Sequence, residues 1–224
     1  MADIDLSELP YEEWLGFFFA RDIDPYGDLW HQYRIVRHPA NPNQAIAYLT
    51  RMCQDFATLP LQCSWEQINQ GVWAVFSYPA ELADFLMQKN APLKLRLECI
   101  RAMYHVYADV IAKLDPAVPM ENCFYMWWDT IAEKFCRSSG HEGTGQFDPI
   151  DDDHRQMQAT ILETLLRIME LNERRCEFAA LHGLGHLRHP DGVKAIQKYI
   201  VKHANDLSPE DIGWLKECRD GTMM

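Results

Sequence analysis

The residues best suited to chemistry in this 224-residue sequence are three histidines near its C-terminal end. His182, His186 and His189 are four and three positions apart, so a continuous helix brings them to one stripe. Neutral imidazoles in such a stripe can bind zinc or iron and leave a position open. However, Pro190 disfavours helical geometry at the residue before it, so we expect His189 to turn away. The remaining pair predicts only weak metal binding, and we expect no bound cofactor.

The segment 140–154 is a second candidate site, because it combines glycines, carboxylates and histidines. It lacks the spacing of an EF-hand, since no glycine follows Asp151–Asp153 at the required position. Its glycines also lack the Lys-Ser or Lys-Thr that ends a phosphate-binding loop. Acidic residues at a helix start stabilise the helix dipole, which explains Asp151–Asp153 without any ligand. A cation or substrate site in this segment is the alternative interpretation.

Adjacent tryptophans, Trp127 and Trp128, indicate a further candidate surface. Neighbouring residues on a helix point about 100° apart, so the two rings cannot enter the same part of the core. An exposed Trp128 beside Tyr125 and Asp129 would form a partner-binding groove. Burial of both rings between layers of helices is the interpretation that we favour over this groove.

The elements that position these residues are predicted to be helices. Capping residues, prolines and an apolar period of 3.6 residues indicate an all-α protein of about ten helices, with no convincing strand. The predicted helices cover 10–20, 42–58, 64–77, 92–114, 119–136, 152–171, 174–188, 191–204 and 209–219, with a short one near 29–36. The helix over 92–114 carries the longest apolar seam, which includes Leu97 and Ile111.

The stretch 175–196 resembles one unit of a HEAT-like helical repeat. The matching positions are Ala180, Leu184, Gly185, Leu187, Pro190, Val193, Ala195 and Ile196. Gly183 and Gly185 remove side chains where a neighbouring helix can approach, and Pro190 turns the chain into a second helix. The resemblance implies an irregular HEAT-like α-α superhelix; a compact, non-repeating helical fold is the alternative.

On this interpretation residues 1–224 form a single helical domain, or divide at the Gly/Ser-rich 137–150 loop, with 151–224 as the HEAT-like part. Deoxyhypusine hydroxylases are HEAT-like proteins that bind iron through adjacent His-Glu pairs. Here the only such pair is His141-Glu142, within the loop, so the resemblance does not imply their chemistry.

The amino-acid composition indicates which classes of binding partner are disfavoured. Asp and Glu outnumber Lys and Arg by 33 to 21, and the net charge of −12 disfavours binding to nucleic acid. The apolar run near the start, Trp14–Ala20, is too short for a membrane span, and we expect neither a secretion signal nor membrane association. The seven cysteines form no C-x-x-C motif, which favours reduced thiols in a cytoplasmic protein.

Two functions follow from these patterns. The first is a cytoplasmic, non-catalytic helical-repeat scaffold that binds another protein through Tyr125, Trp128 and Asp129. The second is a metal-dependent enzyme that uses His182 and His186 with His189. A helical-repeat nucleic-acid binder shares the fold class, but the negative charge opposes it.

Overall fold

A computed structural model describes residues 2–23, 33–37, 41–76, 82–115, 117–118, 120–136 and 150–223. The fold is all-α, as predicted. Within these residues the α-helices are α1 (Tyr11–Phe19), α2 (Pro42–Gln54), α3 (Trp65–Phe76), α4 (Leu93–His105), α5 (Asn122–Cys136), α6 (Asp152–Met169), α7 (Arg174–Leu187), α8 (Pro190–Lys202) and α9 (Pro209–Asp220). Short 3₁₀ turns cover Phe56–Leu61 and Leu82–Met87. Most of the predicted loop, 137–149, lies outside the described residues.

Two short strands depart from the expectation of a chain without strands. Strand β1 (Ala2–Asp5) pairs in parallel with β2 (Tyr33–Arg37) in a two-stranded sheet. The short helix predicted near 29–36 is therefore wrong over its described part. Ile35 and Val36 are β-branched, and such residues favour strands over helices.

The helix starts follow the capping signals in the sequence. The Asn41 side chain accepts a hydrogen bond of 3.0 Å from the backbone N–H of Asn43, and Pro42 is the first residue of α2. Ser208 and Asp211 form a reciprocal capping box at the start of α9. Helix α2 ends at Gln54, earlier than the predicted limit of 58, because the chain continues into the first 3₁₀ turn.

Contacts between the helices follow an alternating order. The odd-numbered helices contact one another in series, α1 with α3, α3 with α5, α5 with α7 and α7 with α9. The even-numbered helices form a second series, α2 with α4, α4 with α6 and α6 with α8. Helix α7 also packs on α6 and α8, so both series meet at this helix.

The predicted long helix over 92–114 is continuous but not uniform. After α4 the chain makes a π-helical turn, Val106–Val110, and then a 3₁₀ turn, Ile111–Lys113. Ile111 is fully buried, as expected, whereas Leu97 is only half-buried. The predicted full burial of Leu97 in the apolar seam is wrong. Helix α4 lies between α2 and α6, so it buries two of its sides rather than a single stripe.

A charged pair joins α4 to α6. The Arg96 side chain is 3% exposed, and its Nη2 donates to Oδ2 of Asp153 at 2.5 Å. Its Nε donates to the backbone carbonyl of Ala91 at 3.2 Å. The guanidinium is therefore buried with a carboxylate and a carbonyl as acceptors, as a buried cation requires.

Candidate metal centre

Helix α7 carries two histidines on one face. His182 and His186 are one turn apart, so their side chains project to the same side of the helix. The helix is fixed at its start by Glu173, whose carboxylate accepts a hydrogen bond of 3.1 Å from the backbone N–H of Cys176. The spacing recognised in the sequence therefore holds for this pair.

The third member of the cluster is Asp129, which comes from α5. Its Oδ1 atom lies 2.5 Å from Nε2 of His182 and 3.1 Å from Nε2 of His186. The three candidate ligand atoms lie within 4.8 Å of one another. The His182 side chain is 6% exposed, while His186 and Asp129 are 18% and 24% exposed. The cluster is therefore buried on the His182 side and reaches solvent beside the other two residues.

Gly183 explains why α5 and α7 approach closely enough to form this cluster. A Cβ at Gly183 would lie 3.0 Å from Cγ of Trp128 and 2.8 Å from Cδ2 of Leu165. Such contacts are tighter than ordinary van der Waals packing, so a side chain at this position would have to push Trp128 and Leu165 outward. Trp128 immediately precedes Asp129, and the close approach at Gly183 therefore brings Asp129 to the histidines.

Trp128 is itself fixed by hydrogen bonds inside the protein. Its Nε1 donates to the hydroxyl of Tyr107 at 2.8 Å, and that hydroxyl donates to the backbone carbonyl of Phe124 at 2.5 Å. Trp127 and Trp128 are both fully buried, which confirms the favoured interpretation, and the prediction of an exposed Trp128 in a partner-binding groove is wrong. Tyr125 and Asp129 are partly exposed, but both pack against His182.

Aromatic rings surround the imidazole of His182. The ring centroids of Tyr125 and His182 are 4.1 Å apart, and Trp214 of α9 lies 6.2 Å from His182 with its plane tilted by only 8°. Nδ1 of His182 is buried, and none of the described residues offers it a hydrogen-bond partner. The His182 ring is therefore held by stacking against Tyr125 and Trp214 and by the contact of its Nε2 atom with Asp129.

The surroundings of His186 favour its neutral form, which is the form that binds a metal ion. Burial lowers the pKa of His186 below the ordinary value, and the Asp129 carboxylate only partly offsets this effect. His186 is therefore neutral at physiological pH, and a neutral imidazole has the lone pair that a metal ion requires.

His189 is not part of the cluster, as its position before Pro190 predicted. Helix α7 ends at Leu187, and Arg188 adopts a left-handed conformation with φ of 55°. His189 then caps α8, where its Nδ1 accepts a hydrogen bond of 3.1 Å from the backbone N–H of Asp191. The three-histidine site is therefore wrong at this residue, and Asp129 takes the third position.

Two imidazole nitrogens and one carboxylate oxygen form a ligand set used by divalent transition metals. Catalytic zinc commonly has three protein ligands and one open position, and the same donor set with open positions binds non-haem iron(II). Ligands of a tetrahedral zinc ion are separated by about 3.4 Å, given metal–ligand bonds of about 2.0–2.1 Å. The contacts to Asp129, 2.5 Å from His182 and 3.1 Å from His186, are shorter than this, so binding requires these side chains to move apart, His182 more than His186.

The sequence prediction missed Asp129 as a ligand. Asp129 precedes His182 by 53 positions and lies on another helix, so no local spacing connects them. The predicted site in 140–154 falls mostly outside the described residues; its last part contains Asp151, which caps α6 by accepting from the N–H of His154 at 2.9 Å.

Comparisons with known proteins leave the site to be interpreted from its own geometry. No family model, curated protein or solved structure matches this chain significantly. Within the described ranges, none of the helices combines the length and apolar character needed to cross a bilayer.

Proposed function

We propose that this protein is a metal-dependent enzyme that holds a divalent transition-metal ion, zinc or iron(II), through Asp129, His182 and His186. The observation that carries the proposal is the convergence of three ligand atoms within 4.8 Å from two separate helices. The ion would act as a Lewis acid on a water molecule or substrate oxygen bound at its open position. Water or substrate would reach the ion from the partly exposed side of the cluster, beside Asp129 and His186.

An ordinary structural His–Asp pair accounts less well for this arrangement. A structural pair needs one donor for one carboxylate oxygen, whereas here both imidazoles face the same Oδ1 atom of Asp129. Leaving Nδ1 of His182 buried without a partner also costs free energy, about 1–3 kcal/mol for a buried polar group.

Metal titration tests this proposal directly. Protein made without a metal-chelating tag and stripped by chelator dialysis should bind close to one equivalent of zinc or iron(II), measured by calorimetry and elemental analysis. His182→Gln, His186→Gln and Asp129→Asn should each weaken binding by about a hundredfold or more, because three-ligand sites lose most of their affinity with one ligand. His189→Gln is the matched control and should bind as the wild type does. Absence of binding by the wild type, or equal binding by all four variants, would contradict the proposal.

A non-catalytic scaffold is the second candidate function. The two alternating series of helix contacts are typical of α-α superhelices, and this pattern supports the HEAT-like arrangement proposed from 175–196. Such superhelices commonly bind other proteins, and the net charge of −12 favours a protein partner over nucleic acid. We retain a cytoplasmic location as part of this proposal. The metal titration separates the two functions, because a scaffold does not require Asp129, His182 and His186 to bind an ion.

A further inference from the structure

The C-terminal helix α9 brings the side chain of Trp214 to the metal site. Its indole lies 6.2 Å from the ring of His182 and 5.9 Å from the ring of Tyr125, measured between centroids. The indole also stacks on Phe178, one turn before His182 on α7, at 5.2 Å and with 10° between the planes. Helix α9 therefore contributes to the surroundings of His182, although it supplies no candidate metal ligand.

Gly185 accounts for the position of α9 in the same way that Gly183 accounts for that of α5. A Cβ at Gly185 would lie 3.0 Å from the backbone of Cys218, so α9 approaches α7 at backbone distance. Trp214 is one turn before Cys218, which brings its indole to the level of His182. Arg174 strengthens this docking, because its Nη2 forms an ion pair of 2.9 Å with Asp211 near the start of α9.

A metal-binding histidine usually has its second nitrogen fixed by a hydrogen bond, which sets both the tautomer and the plane of the ring. His182 has no such bond among the described residues, since Nδ1 is buried without a partner. Besides the contact of Nε2 with Asp129, its ring is restricted by the neighbouring rings of Tyr125, His186 and Trp214. Stacking against Tyr125 and Trp214 favours one plane of the imidazole ring over others.

We propose that Trp214, together with Tyr125, is a positioning residue of the metal site, which holds the His182 ring so that Nε2 faces Asp129. This inference rests on the metal site proposed above. It makes α9 a functional part of the site, although Trp214 itself touches neither the ion nor the substrate. Truncating the indole should release the His182 ring and reduce metal affinity while the helices stay in place.

The experiment compares Trp214→Leu with Trp214→Phe, which retains a ring that can stack. Trp65→Leu is the matched control, because Trp65 is a half-buried tryptophan that contacts Phe124 at 6.4 Å, outside this stack. Zinc affinity is measured by calorimetry. The tautomer of His182 is measured in metal-free protein by nitrogen-15 NMR, at a pH well above the ordinary imidazole pKa. Circular dichroism verifies that each variant retains its helix content.

His182 should show one tautomer, with the proton on Nε2 and directed at Asp129, in three proteins: the wild type, the Trp214→Phe variant and the Trp65→Leu variant. Trp214→Leu should show averaging between tautomers and a zinc affinity lower by about tenfold to a hundredfold. Tyr125→Leu should give the same two effects, and it replaces Trp214→Leu if that variant does not fold.

An unchanged single tautomer in Trp214→Leu and Tyr125→Leu would overturn the inference, whatever the zinc affinity. If the wild type binds no zinc, the proposed function fails, yet the tautomer comparison in metal-free protein still decides whether Trp214 positions His182.

Discussion

Among the residues that the structure describes, the α4–α6 and α5–α7 contacts each pair a buried basic side chain with a partly exposed carboxylate, and the second of them holds the candidate metal site. Between α4 and α6, Arg96 faces Asp153, whose side chain is 40% exposed; between α5 and α7, His182 faces Asp129. Arg96 is permanently charged and is also bonded to the carbonyl of Ala91. His182 instead has a titratable ring and an unpartnered nitrogen.

The second difference is the number of groups that converge. One guanidinium meets one carboxylate in the α4–α6 pair, whereas two imidazoles share one carboxylate oxygen in the α5–α7 cluster. A buried charge by itself is therefore a poor indicator of function. Convergence of several groups with free lone pairs, at some cost in stability, is a better one.

The largest loss of stability is expected at a buried apolar side chain in the chain that follows α4. Ile111→Ala removes a fully buried side chain from the turn that follows α4, and it should lower the free energy of unfolding by about 2–5 kcal/mol. Leu97→Ala should cost clearly less, because Leu97 is half-buried, and Lys94→Ala should have almost no effect, because Lys94 is exposed. Urea unfolding of the three variants measures these values. Equal losses at Ile111 and Lys94 would mean that the buried face is wrongly assigned.

A side chain at Gly183 should damage the α5–α7 cluster more than the rest of the protein. Gly183→Val places carbon atoms against Trp128 and Leu165, so we expect a loss of about 1–3 kcal/mol in stability and a zinc affinity at least tenfold lower. The matched control is Gly213→Ala in α9, where a Cβ meets no atom within 4 Å. That control should be stabilised by about 0.5–1 kcal/mol through helix propensity. Thermal unfolding and calorimetry provide both measurements, and unchanged zinc affinity in Gly183→Val would contradict the role given to this glycine.

The two carboxylates should respond oppositely to the same substitution. Asp153→Asn leaves the Arg96 charge buried without its counterion, and we expect a loss of about 1–2 kcal/mol in stability with no change in zinc binding. Asp129→Asn keeps an oxygen that can accept from His182, so stability should change by less than about 1 kcal/mol while zinc affinity falls sharply. Denaturant unfolding alongside zinc titration distinguishes the two. If both variants changed in stability and zinc affinity by similar amounts, the Arg96–Asp153 pair and the Asp129 cluster could not be distinguished as a structural pair and a metal site.

The smallest expected effect is a change in pH dependence at the start of α6. Burial lowers the pKa of His154, which stacks on Phe135, so the folded state favours its neutral form. The stability that this group contributes is therefore present above the pKa of the unfolded state, about 6.5, and is lost as the pH falls below it. His154→Gln should lose less stability between neutral and mildly acidic pH than the wild type. Chemical unfolding at several pH values measures the slope, and an unchanged slope would exclude His154 as a contributor.

Much of this fold could be predicted from the sequence, because its signals are local. Apolar periodicity located the helices, and Asn41-Pro42 and Ser208-Pro209 marked two helix starts correctly. The short strand Tyr33–Arg37 was missed, since five residues give little periodicity and its partner lies far away in the sequence. The half-burial of Leu97 was also missed, because one sequence pattern does not show that α4 has neighbours on two sides.

The candidate site could be predicted only in part. The spacing of His182 and His186 indicated a pair on one helix face, and Pro190 indicated correctly that His189 would leave it. Asp129 was recognised only as a partner-binding residue, because its approach to the histidines depends on the docking of α5 against α7. Gly183, the glycine at this contact, was recognised in the sequence as a point of close approach between helices. The sequence did not indicate which side chains of the neighbouring helices lie against it.

The separation of 53 positions between Asp129 and His182 has a kinetic consequence. Joining residues so far apart requires closure of a long segment of chain, which is unfavourable until the intervening helices have packed. A growing chain that has not yet produced α7 contains Asp129 without the two histidines and so lacks the proposed site. Ion binding at that site would therefore be confined to molecules that have completed the α5–α7 contact, and it would stabilise those molecules in proportion to the logarithm of the free ion concentration. An ion supplied after synthesis would thus act on the rate of unfolding rather than on the early steps of folding.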